Sequence, residues 1–396
     1  MAEPYVPPTP TEPQPHVPTW IPPPPTDGKG IEFAQLHTIE LNLLEDPDPA
    51  VVQKLVETAK IAIKEDGFLY LTNYGVSLEQ LHRQFSIGQY TYDHITEEEK
   101  ERLKWNPQGG SYAGYKAPFG WRREKGAPDG IEQFNFYKQQ FADLNLVPSC
   151  LHPFMEEISA FVQYLTTSVN RRLLKLFSLV LELPPDWLYE NIQSKGGIVA
   201  DSYFRHALFR PLTEDIKSVG GGALRMNGHT DYGTTTLLFS VPVSSLQIWG
   251  RDNKWRYVGY NPGALVINIG ETLEIISGGH FKATRHRVVE PPEDQRTFER
   301  LSLVLFNASE SDMRVQPAYV SPLIQREGCI EEQGVYKEFK ALMDKGFPVP
   351  TNREWRESQI ASIRQVADNP KMKIVLVNGV EMSEQMYHGV KVLLPV

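Results

Sequence analysis

Seven short apolar runs, following Pro184-Pro185, constrain this chain more than any other feature. They lie near 199–209, 234–240, 245–250, 254–259, 263–269, 284–290 and 299–306, rich in Val, Ile, Leu, Phe and Thr and separated by Gly, Asn and Pro. Runs this short and this closely spaced fold as the strands of a sandwich or barrel. The chain before them has a different period. Val51, Leu55, Ala59 and Ile63 predict a helix over 50–64. Gly67 ends it, Phe68-Leu69-Tyr70-Leu71 reads as a buried strand, and a second helix is expected from Leu78 to His94. Phe154, Ile158, Phe161, Leu165, Val169, Leu173, Phe177 and Val180 predict a long scaffold helix over 154–181. A helical N-terminal half packed on a β-rich C-terminal half is therefore expected.

Four stretches follow from these patterns. Residues 1–30, mostly Pro, Thr and Glu, are expected to form a disordered, polyproline-like tail. A mainly helical region covers 31–185, the strand-rich core 186–320, and an extension 321–396. Residues 106–130 are expected to be a long loop whose Tyr112, Tyr115, Phe119 and Trp121 line a pocket. The extension is expected to hold helices near 334–344 and 352–367, then a hairpin turning at Asn378-Gly379.

Composition excludes several classes of partner. A net charge of −9 argues against nucleic acid or an anionic membrane. Two cysteines, Cys150 and Cys329, are too few for a disulfide framework and suit a reducing compartment. No apolar run approaches ~20 residues, and the N-terminus lacks a signal-peptide pattern. A cytoplasmic protein acting on a small molecule is expected, with its oligomeric state left open.

The chemistry lies inside the strand block. In Asn227-Gly228-His229-Thr230-Asp231 an imidazole and a carboxylate sit two residues apart, so on extended backbone both point one way. Alone, the tripeptide is weak evidence and reads more simply as a surface or capping pair. A third candidate ligand, His286, lies several strands later. Two histidines and one carboxylate on one face of a metal leave open positions, which suits non-haem Fe(II). Strand alternation places Arg300, Ser302, Val304 and Phe306 on one face of the last run and Leu301, Leu303 and Leu305 on the other. An inward Arg needs an anion, either a protein carboxylate or a ligand that its planar fork can grip.

His229-x-Asp231, distal His286 and Arg300-x-Ser302 together resemble the signature of Fe(II)/2-oxoglutarate-dependent dioxygenases. The nearer resemblance is to the isopenicillin-N-synthase-like branch, with its plant flavonoid oxygenases and fungal secondary-metabolite enzymes. Leu246-Gln247-Ile248, the run 263–271 and the segment 67–76 extend it, although Tyr74 replaces the usual His. The resemblance implies an α+β fold, a double-stranded β-helix (jelly-roll) core with a helical N-terminal region and a C-terminal helical extension. It implies Fe(II) on His229, Asp231 and His286, 2-oxoglutarate on Arg300 and Ser302, O2, and ascorbate as accessory reductant. Tyr203 matches a position where many relatives place a co-substrate-contacting tyrosine, and Phe306 one that stacks on substrate. Arg205 shares the inward parity of Tyr203 and Asp201; it either anchors an anionic or phenolic substrate group or forms a structural ion pair. The implied reaction converts 2-oxoglutarate to succinate while a medium-sized organic molecule is hydroxylated, desaturated or rearranged.

Three other readings stay open on sequence. An oxidase of the same fold could use Fe(II) and O2 without 2-oxoglutarate. A Zn hydrolase on the same ligands would leave Arg300 and Ser302 unexplained. A non-enzymatic small-molecule receptor would have no need of an open metal position. His206, His280 and His388 are read as structural.

Overall fold

The strand block folds as its spacing requires. In the computed structural model, which describes residues 3–106, 112–118, 129–193, 202–214, 224–331, 334–359, 374–377, 380–387 and 390–395, the N-terminal half contributes β1 (Thr38–Glu40), β2 (Phe68–Thr72), β3 (Gly114–Lys116) and β4 (Ile131–Phe136). The central block supplies β5 (Tyr203–Phe209), β6 (Leu224–His229), β7 (Thr235–Phe239) and β8 (Leu246–Trp249). It continues with β9 (Trp255–Tyr257), β10 (Leu265–Ile269), β11 (His286–Val289) and β12 (Arg300–Phe306). A separate three-stranded sheet of β13 (Ile374–Val377), β14 (Val380–Tyr387) and β15 (Val390–Pro395) closes the sequence.

β5–β12 divide between two sheets. The large one runs β1-β2-β10-β7-β12-β5-β4-β3 and the small one β6-β11-β8-β9. Apart from the parallel pair β1–β2, their ladders are antiparallel. This is a jelly roll, and the chain is α+β. Because β1–β4 extend the large sheet, residues before 185 share the core rather than forming a separate helical unit.

Helices Pro49–Glu65 and Leu78–His94 begin where local chemistry starts them: Asp48 caps the first, and Ser77 with Gln80 forms a capping box on the second. The expected long helix runs from Met155 to Val180 with a π-helical segment at Leu165–Asn170. These helices cover one face of the large sheet, burying Leu69, Leu71, Leu237, Phe239, Leu265, Ile267, Leu301, Leu303 and Leu305 in one cluster. The opposite face, with Arg300, Ser302, Val304 and Phe306, turns toward the small sheet. Smaller clusters join the two sheets: Phe68, Tyr70, Leu246, Ile248 and Val266 in one, and Ile131, Ala207, Phe209 and Val288 in the other.

The proline-rich segment is not the disordered tail its composition predicts. Tyr5 is 5% exposed and packs on Phe161 and Tyr164, and its N–H donates to the Gly75 carbonyl. Trp20 stacks on Phe85 at 4.4 Å, and Val17 is buried. Prolines pre-pay much of the ordering entropy, so a few apolar anchors suffice to hold an extended segment down.

The expected loop 106–130 contains β3; its residues 107–111 and 119–128, with Phe119 and Trp121, lie outside the described residues. In the extension, helix Gly334–Asp344 is as expected, and a further helix covers 352–359, the rest of that prediction lying outside the described residues. Val377 pairs with Val380, and Asn378-Gly379, where the hairpin turn is expected, lies outside the described residues.

Candidate active site

β6 and β11 pair with His229 directly opposite His286, which brings together two histidines 57 positions apart in sequence. Their rings lie 4.3 Å apart between centroids. β6 ends at His229, so Asp231 stands in the segment that crosses to β7 and the large sheet. Asp231 Oδ1 is 3.7 Å from His229 Nε2 and 3.8 Å from His286 Nε2. One ligand atom from each residue lies within 4.8 Å of the others.

Each of the three groups is aimed by its other atoms. His229 Nδ1 lies 2.8 Å from the Asn227 carbonyl and His286 Nδ1 3.1 Å from that of Thr284. A carbonyl can only accept, so both Nδ1 atoms carry the proton and both Nε2 lone pairs face the centre. Asp231 Oδ2 accepts from Thr236 Oγ1 at 2.7 Å and Asn268 Nδ2 at 2.8 Å, leaving Oδ1 for the centre. Burial opposes the charge of Asp231, but His286, His229 and these two hydrogen bonds outweigh it and hold its pKa below the usual carboxylate value. Burial, reinforced by His286, pushes the pKa of His229 down to about 4, so the ring is neutral at pH 7. Two imidazoles presenting Nε2 and a carboxylate presenting Oδ1 are a donor set for a divalent cation.

Backbone approach in this corner is close enough to require glycine. A Cβ on Gly270 would fall 2.1 Å from the Gly233 carbonyl oxygen, and one on Gly233 2.1 Å from that of Asn307. Glu271 follows at the start of a buried helix and joins two parts of the chain. It accepts from Thr230 Oγ1 at 2.5 Å and from Trp355 Nε1 at 3.0 Å. Burial raises its pKa well above the ordinary value. The extension thereby reaches the turn between His229 and Asp231.

Arg300 and Ser302 lie on the inward face of β12, 5% and 2% exposed. Arg300 Nη1 donates to Ser302 Oγ at 2.5 Å, and the guanidinium lies 5.2 Å from the Phe209 ring centre. Its Nε is buried without a hydrogen-bond partner, and no carboxylate pairs with it among the described residues. Burial, and then the charge of nearby Arg225, lower its pKa to about 10. A buried cation in this state fits an anion that the described residues do not supply.

The antiparallel register fixes where Tyr203 lies along the sheet. Phe209, not Tyr203, stands opposite Arg300, and Tyr203 stands opposite Phe306 at the other end of β5. Tyr203 is sandwiched between Tyr137 and Phe306, each ring centre 4.7 Å away. It belongs with Phe306 in an aromatic wall rather than beside the Arg300 anion site. Asp201 lies outside the described residues. Arg205 makes no ion pair with a neighbouring acid among the described residues; its Nε donates to Asn135 Oδ1 at 2.7 Å.

Of the histidines read as structural, the two described ones lie outside the site. His206 is fully buried against Phe136 and Phe204, and His280 bonds the Gly328 carbonyl; His388 is not among the described residues. Sequence reading missed Thr236, Asn268, Glu271 and Trp355. The one available signal was Asn268, a lone amide within the apolar run Leu265–Ile269.

Known proteins share both the fold and these sequences. Residues 36–150 match the model for the non-haem dioxygenase in morphine synthesis N-terminal region, and residues 205–309 that for the 2OG-Fe(II) oxygenase superfamily. A homoarginine-6-hydroxylase of Oryza sativa is 27% identical over 334 residues, covering 79% of this chain and 95% of the relative. The 2-oxoglutarate-dependent dioxygenase FG08081 of Gibberella zeae is 27% identical over 275 residues, covering 67% and 77%. The crystal structure of a full-length Neurospora crassa protein in complex with alpha-KG superposes with a TM-score of 0.67 at 18% identity, covering 85% of this chain and 98% of that one.

Proposed function

This chain belongs to the 2OG-Fe(II) oxygenase superfamily and is a dioxygenase using Fe(II), 2-oxoglutarate and O2, and from that premise we propose which residues perform each task. His229 and His286, through Nε2, and Asp231, through Oδ1, hold the Fe(II). Arg300 and Ser302 hold the distal carboxylate of 2-oxoglutarate, and Phe306 with Tyr203 forms the wall against which the substrate lies. The observation that carries this reading is the convergence of three aimed donors in a fold whose inward face also holds a buried guanidinium without a counter-ion among the described residues.

When bound, Fe(II) with 2-oxoglutarate and O2 supplies the oxidising power, and 2-oxoglutarate leaves as succinate and CO2. The protein's own work is positioning. The carbonyls of Asn227 and Thr284 fix the imidazole tautomers, and Thr236 and Asn268 fix the carboxylate rotamer. Arg300 meets the co-substrate with a rigid fork in a desolvated setting, where charge-assisted hydrogen bonds are strongest. The jelly roll encloses these groups between two sheets and keeps bulk water from the reacting atoms.

The substrate in this reading is a medium-sized organic molecule of secondary metabolism, met in the cytoplasm. The support is the aromatic wall and the kinship with plant and fungal dioxygenases; no described helix is long and apolar enough to cross a membrane. The test is succinate formation by purified protein given Fe(II), 2-oxoglutarate and air, with and without a substrate panel. Wild-type protein is expected to form succinate, Zn(II) is expected not to replace Fe(II), and Asp231→Ala is expected to lower the rate at least about 100-fold without unfolding. Undiminished succinate from Asp231→Ala would sink the assignment.

A further inference from the structure

β5 carries a cation that the chemistry above leaves unused. Across the large sheet, Asn268 pairs with Thr236, Thr236 with Phe306, and Phe306 with Tyr203. Directly opposed residues share a face, so these four form one row. Its first two members grip Asp231, and its last two are stacked aromatics. Arg205 is two residues along β5 from Tyr203 and therefore on the same face. Its guanidinium carbon lies 5.0 Å from the Phe306 ring centre and 5.2 Å from that of Tyr203.

Among the described residues, only neutral groups hold Arg205. Nε donates to Asn135 Oδ1 at 2.7 Å, Nη2 to the Tyr203 hydroxyl at 3.3 Å, and Nη1 makes no hydrogen bond among the described residues. Asn135 is itself fixed, donating through Nδ2 to the Tyr112 carbonyl at 2.5 Å. No carboxylate lies within ion-pair distance of Arg205 among the described residues. Arg210, just past the end of β5, pairs with both Glu132 and Glu299. The nearby Lys116 is taken up by Asp129 at 2.7 Å. A half-buried guanidinium held by an amide and two ring faces has no compensating carboxylate among the described residues.

Resting on the function proposed above, we infer that Arg205 is the substrate anchor and binds a carboxylate on a substrate whose flat, unsaturated body lies along Phe306 and Tyr203. One guanidinium, with a planar fork, matches a single carboxylate better than a phosphate, which calls for more donors. Arg205 is about 10 Å across the sheet from Thr236, two strand spacings, and about 7 Å further along the strand. The carbon oxidised beside Asp231 is therefore several bonds from the carboxylate, not adjacent to it.

Calorimetry under argon on the Fe(II)- and 2-oxoglutarate-loaded protein tests this. The probes are phenylacetate, 3-phenylpropanoate and 4-phenylbutanoate, each beside its primary amide. At least one acid is expected to bind ~10–100-fold more tightly than its amide. Arg205→Gln is expected to erase that preference and Arg205→Lys to restore part of it, a ratio that a merely structural arginine would not set. Equal binding of acid and amide, an unchanged preference in Arg205→Gln, or failure of every acid to bind at millimolar concentration overturns the inference. Co-substrate binding is read in the same preparations at Arg300 and Ser302. Its loss in wild-type protein would instead count against the function proposed above, while its retention in Arg205→Gln shows that the variant is folded.

Discussion

Replacing Arg300 by methionine should stabilise the empty protein while disabling it. Burial, and then Arg225, hold the guanidinium pKa down at about 10. At about 1.4 kcal/mol per pKa unit, the folded protein without co-substrate carries a penalty of about 3 kcal/mol for this charge. Methionine keeps much of the apolar stem and removes the penalty, at the loss of one hydrogen bond to Ser302 worth about 1 kcal/mol. The net gain expected is about 2 kcal/mol. With 2-oxoglutarate at about 100 times its dissociation constant, wild-type protein gains about 2.7 kcal/mol and the variant nothing. Urea unfolding of both metal-loaded proteins, with and without 2-oxoglutarate, reads all four values. The variant should be the more stable protein without co-substrate and lose that lead when it is added. Equal stabilisation of both by 2-oxoglutarate, or an empty variant weaker than wild type, would refute the reasoning.

Two further predictions follow from buried groups. Among the described residues neither ring nitrogen of His206 has a partner, and burial pushes its pKa down to about 3. The unfolded chain takes up this proton near pH 6.5 and the folded one does not, so stability present above pH 6.5 is lost as pH falls. The share due to His206 is about 2 kcal/mol between pH 7 and pH 5, and the difference between wild-type and His206→Leu unfolding curves at the two pH values isolates it; parallel curves would contradict the assignment. Trp355→Phe removes the indole donor from Glu271 while keeping a ring in place. It should weaken Fe(II) binding about 10-fold by loosening Thr230 between the ligands; an affinity equal to wild type, measured by metal titration, would show that the extension does not support the site.

Much of the site was legible because its signals are local. The spacing of His229 and Asp231, the alternation on β12 and the apolar runs of β5, β7, β8 and β10 are properties of short segments, and the fold kept them. β6 escaped the list of apolar runs because Leu224-Arg225-Met226-Asn227-Gly228-His229 has only two large apolar residues and owes its extended form to pairing with β11. The place of Tyr203 along the sheet was not legible, because parity gives a face but not a direction: β5 runs against β12, which puts Tyr203 at the Phe306 end. The neutral partner of Arg205 was invisible for a similar reason, since Asn135 lies 70 residues earlier on β4, a strand whose polar residues hide it. The first thirty residues misled because composition reports the cost of ordering, while Tyr5, Val17 and Trp20 carry the few contacts that repay it.

The most direct test of the account is a crystal structure of the protein grown without oxygen in Fe(II) and 2-oxoglutarate, with anomalous scattering recorded at the iron edge. The account predicts one strong iron peak bonded to His229 Nε2, Asp231 Oδ1 and His286 Nε2. It also predicts the distal carboxylate of 2-oxoglutarate on Arg300 and Ser302. Iron bound elsewhere, or a co-substrate that leaves Arg300 without a counter-ion, would contradict it.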